Sequence, residues 1–200
     1  MLGSKERNTP GATVSEPVLT IANQLTLLRM LLIPAFIVLI VEGELGWALA
    51  VFALAGVTDA LDGVIARWSG QKTTLGAWLD PMADKLMLVS AFVVLTLPNL
   101  GLANRLPLWL TALVISRDVG IVVTVAIVNL AIGRRTFQPS VFGKIATAIY
   151  IVTVSLAMLY NYRGYHSPVV DLAVYASLAI TLVSGIHYVW HVSRLLGQPA

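Results

Sequence analysis

Long apolar runs divide the chain into six segments, and short polar stretches separate them. These breaks contain Gly, Pro, Asn or acidic residues, which are typical of loops. Each run is long enough to cross a bilayer as an α-helix, whereas a membrane β-strand needs only about ten alternating residues. The pattern therefore predicts an all-α, polytopic membrane protein, a bundle of six transmembrane helices. The predicted spans are Leu25 to Val41, Leu45 to Ala66, Leu75 to Leu97, Leu106 to Ile132, Val141 to Tyr160 and Val169 to His191.

The composition agrees with a membrane protein. Of the 200 residues, 58% are hydrophobic and 12% are charged, while soluble domains carry about 25% charged residues. The chain has no cysteine, which excludes disulfides and thiolate metal sites. Residues 1–17 are polar and predict a flexible tail, and residues 18–200 predict one membrane domain.

The distribution of basic residues predicts how the bundle is oriented. The net charge of +3 fits basic loops that face anionic lipid, and we expect no nucleic-acid partner. Arg105 and Arg163 lie on the opposite side, together with Glu42 and Glu44, so both termini and the connection between the second and third spans are predicted to be cytoplasmic. The basic residues of the cytoplasmic side are Lys5, Arg7, Lys72, Arg134, Arg135, Lys144 and Arg194.

Four aspartates lie beside that connection, at the ends of the second and third spans. Asp59 and Asp62 are three residues apart, and Asp80 and Asp84 are four apart, so each pair shares one helix face. Two antiparallel helices with a short loop would bring the pairs together. Four carboxylates would repel one another unless cations lay among them. Hard oxygen ligands suit Mg²⁺, Mn²⁺ or Ca²⁺, and two divalent ions would balance four carboxylates.

Neighbouring residues extend this site toward a phosphate ligand. Gly63 and Gly76 leave room for a ligand to approach the backbone, and Arg67 carries a planar fork that suits phosphate. Taken singly, an intramembrane aspartate is more often a packing or ion-pathway residue, such glycines are more often helix contacts, and such an arginine is more often an interface anchor. Their combination at fixed spacing favours a metal–pyrophosphate site.

The pattern Asp59-x-x-Asp62-Gly63-x-x-Ala66-Arg67, followed after eight residues by Gly76-x-x-x-Asp80-x-x-x-Asp84, resembles the signature of the CDP-alcohol phosphatidyltransferases. The resemblance implies a six-helix membrane bundle that forms homodimers. It also implies transfer of a phosphatidyl group from CDP-diacylglycerol to an alcohol with release of CMP. We expect this reaction at the cytoplasmic side of a bacterial inner membrane.

The resemblance also implies a role for each motif residue. Two divalent cations, Mg²⁺ or Mn²⁺, would be held by the four aspartates, and Asp84 would in addition act as general base. The CDP part of the donor would contact residues of both helices. These donor-binding residues would be Asp59, Asp62, Gly63, Ala66, Arg67 and Gly76.

The acceptor alcohol has weaker sequence signals. Asn23, Thr26 and Arg29 resemble the Pro-Asn-x-x-Thr-x-x-Arg motif of bacterial phosphatidylglycerophosphate synthases, although Ala22 stands in place of the proline. Arg117, inside the fourth span, and Lys144, at the start of the fifth, could hold an acceptor phosphate; a structural Arg117–Asp118 pair is the alternative for the arginine.

Two acceptors stay open at this point. We expect glycerol 3-phosphate, with phosphatidylglycerol as the alternative, because Ser116-Arg117-Asp118-Val119 is closer to the pattern of cardiolipin synthases. Among other classes of protein, an ion-coupled transporter would be expected to carry charge in both halves of the chain. Only Asp118 and Asp171 follow Asp84, which argues against this class. A non-catalytic scaffold would be expected to have lost motif acids, and none is missing.

Overall fold

The chain folds into successive α-helices, as a computed structural model of the protein shows. The structure describes residues 21–69, 74–132 and 141–196, with side chains except at 21–23, 60, 62–69, 74–81, 128–129, 131–132 and 191–196. No strand occurs in these ranges, and the predicted tail lies outside them. The helices are α1 (Ile21–Val41), α2 (Leu45–Ser69), α3 (Thr74–Thr96), α4 (Leu108–Ile132), α5 (Val141–Tyr162) and α6 (Pro168–Leu196), and a 3-10 turn (Pro98–Leu100) precedes α4.

All six predicted spans are helical, and among the residues with described side chains, four helices are long and apolar enough to cross a membrane. In α2 the described side chains form an apolar helical stretch, Leu45–Asp59, and most residues of the remainder of α2 and of the start of α3 lie outside the described side chains. Six crossings and cytoplasmic termini therefore remain predictions. The four apolar windows are Gln24–Val41, Leu108–Ile127, Val141–Tyr162 and Pro168–Trp190.

The helices pack around a core of apolar side chains. Helix α1 contacts α2 and α3, α5 packs along α6 and also touches α2 and α3, and α4 contacts α3 and α6. The rings of Phe36 and Phe52 lie 5.8 Å apart between α1 and α2, and Phe92 meets the edge of Tyr150 at 5.7 Å between α3 and α5. Aromatic pairs at these distances add to the free energy of area burial.

The outer surface of the bundle is strongly apolar. Leu130 is 87% exposed, and Leu31, Leu108, Leu172 and Ile186 are each at least 70% exposed. Such a surface would be unstable against water and is suited to lipid chains. Between α5 and α6, hydroxyl groups pair across the helix contact, as in the 2.8 Å approach of Thr153 Oγ1 to Ser177 Oγ, which is common where helices associate in lipid.

Three connections meet at one end of the bundle, which we call the loop end. They are residues 42–44, 97–107 and 163–167. A Cβ at Gly46, at the start of α2, would lie 2.8 Å from Cε2 of Tyr162, so a glycine there lets α2 approach the end of α5. The backbone N–H of Asn104 donates to Asn161 Oδ1 at 2.7 Å. Asp59 lies fourteen residues after Leu45, about 21 Å along α2 from the loop end.

Candidate active site

Asp59 of α2 and Asp84 of α3 meet at the guanidinium group of Arg29 in α1. Arg29 Nη2 lies 3.3 Å from Asp59 Oδ1, and Nη1 donates to Asp84 Oδ1. The arginine side chain is 2% exposed, whereas those of Asp59 and Asp84 are 50% and 41% exposed. The cation is therefore buried behind the carboxylates, and each carboxylate keeps an accessible face.

The helix packing explains how this contact forms. Helix α1 lies against both α2 and α3, and residues three apart on a helix share one face. Thr26 and Arg29 are both buried on that face, at 0% and 1% exposure. A buried arginine is stable only if its charge is paired, and the two aspartates supply the negative charge. The carboxylate repulsion predicted from the sequence is thus relieved, at Asp59 and Asp84, by a cation of the chain itself.

The other motif residues lie at the predicted helical positions. Asp62, Gly63, Ala66 and Arg67 follow Asp59 in α2, and Gly76 and Asp80 precede Asp84 in α3. The side chains of these six residues lie outside the described ones, and so does that of Asn23 in α1. Their predicted contacts therefore remain predictions.

The residues present are chemically suited to a divalent cation. Asp59 and Asp84 come from neighbouring helices, share one partner and present carboxylate oxygens that are accessible from outside. Mg²⁺ and Mn²⁺ prefer such hard oxygen ligands. Among the described side chains, no group of three His, Asp or Glu residues is gathered, so a complete ligand set would need residues beyond these two, for which Asp62 and Asp80 are the candidates.

Arg117 forms the structural pair that the sequence allowed. Its Nη1 donates to Asp118 Oδ1 at 2.7 Å, and its Nη2 donates to Ser184 Oγ of α6 at 2.5 Å. Its side chain is 9% exposed, and the buried Nε has no hydrogen-bond partner within the part of the chain that the structure describes. Arg117 therefore links α4 to α6. Its Nε–H remains as a donor without a partner among the described residues.

Lys85 and Ser184 are site neighbours that sequence reasoning missed. Lys85 Nζ donates to Asp118 Oδ2 at 2.9 Å, so Asp118 accepts from two cations and connects α3 with α4 beside Asp84. One signal was available for the lysine, since it directly follows a motif aspartate, and an intramembrane charge needs a partner. Ser184 carries no such signal, because any small polar residue of α6 could have faced Arg117.

The remaining acceptor candidate lies apart from this network. Lys144 is exposed in the first turn of α5, and among the described residues no hydrogen bond or ion pair joins it to Arg117. His187, which the sequence could have paired with His191, packs its ring against Phe142 at 4.7 Å and Trp190 at 6.3 Å. This agrees with a packing role for that histidine.

Comparison with known proteins identifies the class that this fold and site define. The sequence model of the CDP-alcohol phosphatidyltransferases matches residues 19–187, and the chain belongs to that family. It is therefore related to membrane-bound transferases of phospholipid biosynthesis, and the membership gives no support to a transporter.

Particular relatives carry two different names. A protein of Mycobacterium tuberculosis named "Probable phosphatidylglycerophosphate synthase" is 32% identical over 189 residues, which cover 90% of this chain and 85% of the relative. "Cardiolipin synthase (CMP-forming)" of Homo sapiens is 32% identical over 88% of this chain and 62% of its own length. The Streptomyces coelicolor protein of the same name is 35% identical over 91% of this chain and 86% of its own length. These similarities do not separate the two acceptors.

Proposed function

We propose that the protein transfers the phosphatidyl group of CDP-diacylglycerol to a hydroxyl group of glycerol 3-phosphate, which gives phosphatidylglycerophosphate and CMP. The observation that carries this proposal is the convergence of Asp59 and Asp84 on buried Arg29. It brings one aspartate from each half of the family motif to one place. The same geometry would serve any acceptor alcohol, so the choice of acceptor rests on other residues.

Asp84 is the general base of the proposed reaction. The acceptor oxygen forms a bond to the phosphorus of the phosphatidyl group, the bond from that phosphorus to the oxygen of CMP breaks, and Asp84 takes the acceptor proton. Its accessible carboxylate suits this role. Gly63, Ala66, Arg67 and Gly76, with Asp59 and Asp62, are proposed to bind the CDP part of the donor.

Asp59, Asp62, Asp80 and Asp84 are proposed to hold two divalent cations, Mg²⁺ or Mn²⁺. Bound there, such ions would neutralise the pyrophosphate and stabilise the leaving CMP. The contacts of Arg29 favour a positioning role for it, because its guanidinium already binds two motif carboxylates. Direct binding of the acceptor phosphate by Arg29, Thr26 and Asn23 is the alternative for this part of α1.

Arg117 and Lys144 are proposed to bind the acceptor phosphate. The buried, unpartnered Nε of Arg117 among the described residues supports this role, and the exposed position of Lys144 leaves its ammonium group accessible. Phosphatidylglycerol is the second candidate acceptor, in keeping with the name of the human and Streptomyces coelicolor relatives. Its phosphate is a diester, so it could use the same two cations.

One assay tests the proposal and chooses between the acceptors. Purified protein would receive labelled CDP-diacylglycerol with glycerol 3-phosphate, phosphatidylglycerol, inositol phosphate or serine in separate reactions. We expect CMP release and a labelled lipid product with glycerol 3-phosphate, loss of both with a chelator, and recovery with Mg²⁺ or Mn²⁺. Product formation with phosphatidylglycerol alone would establish the second candidate, and absence of CMP with every acceptor would contradict the proposed activity.

The cellular setting belongs to the same proposal. We expect a homodimer in a bacterial inner membrane, with the aspartates toward the cytoplasm. Support comes from the family resemblance and from the basic residues on that side of the sequence. Chemical cross-linking in membranes checks the dimer.

A further inference from the structure

A cavity of about 460 Å³ lies at the loop end, remote from the aspartates. It is lined by the connection before α4, the connection before α6 and the first turns of α6. Asp84 precedes Thr96 by twelve residues, about 18 Å along α3, so the cavity is separate from the candidate active site. Its polar and aromatic lining residues are Asn104, Arg105, Trp109, His166, Asp171 and Tyr175.

The cavity wall is held by a buried asparagine. Asn104 is 2% exposed; its Nδ2 donates to Tyr165 O at 2.8 Å, and its Oδ1 accepts from Ser167 N at 2.8 Å. Asn161 accepts from Asn104 N at 2.7 Å and donates from Nδ2 to Asn104 O at 3.2 Å. These hydrogen bonds hold the connections 97–107 and 163–167 together. The cavity between them is therefore preformed.

Arg105 is the arginine that lines the cavity, and no ion pair engages it among the described residues. The cavity's carboxylate, Asp171, is engaged by His166 Nε2 at 3.0 Å, whereas within the described part of the chain no hydrogen bond or ion pair engages Arg105. A guanidinium group presents parallel donors that match phosphate oxygens. The guanidinium donors of Arg105 therefore suit a phosphate group, although the lining also contains the carboxylate of Asp171.

The rim of the cavity is apolar and faces the lipid side. Trp109 is 46% exposed and Tyr175 64%, and their neighbours Leu108 and Leu172 are 72% and 70% exposed. Aromatic rings with a polar edge are typical of the membrane interface, where lipid headgroups lie. A ligand with a charged head and apolar tails fits this combination better than a free anion does.

We propose that this cavity binds the phosphodiester headgroup of a phospholipid from the leaflet at the loop end, with Arg105 as the phosphate ligand. The acyl chains run outward past Trp109 and Tyr175. The proposal does not depend on the reaction catalysed at the aspartates.

Native mass spectrometry of the purified full chain tests this proposal with phosphatidylethanolamine, a phosphodiester lipid that is not a candidate acceptor, and with diacylglycerol, which lacks the phosphate. We expect Arg105→Ala to lower retention of phosphatidylethanolamine by about tenfold, as for loss of a charge-assisted hydrogen bond, and Arg105→Lys to lower it less. Arg163→Ala is the matched control, since Arg163 is exposed at the same end and does not line the cavity. It should retain the lipid fully.

Equal lipid retention by the Arg105 and Arg163 alanine variants would overturn the proposal. So would displacement of the lipid by inorganic phosphate at a similar concentration, because that result would identify a site for soluble anions. Diacylglycerol retention should be the same in all variants. CMP release should also be unchanged in all of them, which keeps this test apart from that of the active site.

Discussion

Arg29 joins the two described aspartates of the candidate active site. Its side chain is 2% exposed and contacts carboxylates from two other helices, so three helices depend on one guanidinium group. Lysine cannot reproduce the contact, because a single ammonium group lacks the planar fork that reaches two carboxylates at once. A long apolar side chain fills the space but leaves both aspartates without their buried partner.

We expect activity to fall from the wild type to Arg29→Lys and further to Arg29→Met. A positioning role predicts that kcat falls by about tenfold or more while the KM for the acceptor changes little. The measurement is CMP release over a range of acceptor concentrations, with exposed Arg163→Met as control. A raised acceptor KM with unchanged kcat would instead show that Arg29 binds the acceptor phosphate.

Asp84→Asn keeps the shape of the side chain and removes the proposed base. We expect the rate of CMP release to fall by about 10²- to 10⁴-fold. Gel filtration in detergent should show that the variant is still folded. Asp171→Asn is the matched control, since its carboxylate pairs with His166 at the exposed loop end and such pairs contribute little to stability. Near-normal turnover by Asp84→Asn would remove the base from the mechanism.

At the scale of the elements, hydrogen bonds and ion pairs between polar side chains fix the relative positions of helices and connections, which apolar packing alone would leave less well defined. Asp118 connects α3 with α4 through Lys85, and Arg117 connects α4 with α6 through Ser184. At the loop end, Asn104 performs the same task between two connections. Each polar contact inside the bundle has a defined geometry, so it selects one register among many apolar ones.

Asn104→Ala removes the side-chain bonds to Tyr165 and Ser167 and leaves the backbone N–H of buried Ser167 without its acceptor. Each unsatisfied buried group costs about 1–3 kcal/mol, so we expect a clear drop in the thermal unfolding temperature in detergent. Asn99→Ala, at an exposed position of the same connection, should leave it unchanged. CMP release at low temperature should be retained by both variants, because Asn104 is remote from the aspartates.

At the scale of the whole molecule, the four motif aspartates lie toward one end of the bundle, and the loop end carries two arginines, Arg105 and Arg163, with three acids, Glu42, Glu44 and Asp171. The predicted orientation puts the end with the aspartates in the cytoplasm and the loop end outside. Because the chain has no cysteine, a single introduced cysteine is the one thiol that can be labelled, and its labelling shows on which side of the membrane that residue lies.

Asn99→Cys should react with a membrane-impermeant thiol reagent in intact cells, since residue 99 is exposed in the loop-end connection. Gln71→Cys, in the connection between α2 and α3, should react only after the cells are permeabilised. Labelling is read as a mass shift on gels. The reverse pattern would place the aspartates outside and contradict the predicted orientation.

The amino-acid sequence was sufficient to predict the helices, the family and the positions of the motif along α2 and α3. Helix length and the spacing of aspartates are local properties, so periodicity and hydropathy suffice to predict them. The agreement is closest between α1 and α2, where the predicted end at Val41 and the predicted start at Leu45 are the observed ones. Helix ends in polar flanks, such as that of α6, extend further than the apolar run, because helical hydrogen bonds continue beyond the hydrocarbon.

The packing of the helices determines which cation faces the aspartates and which residues surround Arg117, and the sequence pattern does not predict either. The sequence argument required a cation beside the carboxylates, and the packing of α1 against α2 and α3 placed Arg29 there. Lys85 and Ser184 joined the Arg117 network for the same reason. Such contacts lie 30 to 67 residues apart along the chain, and no local sequence pattern predicts them, because they depend on the rotation and register of whole helices.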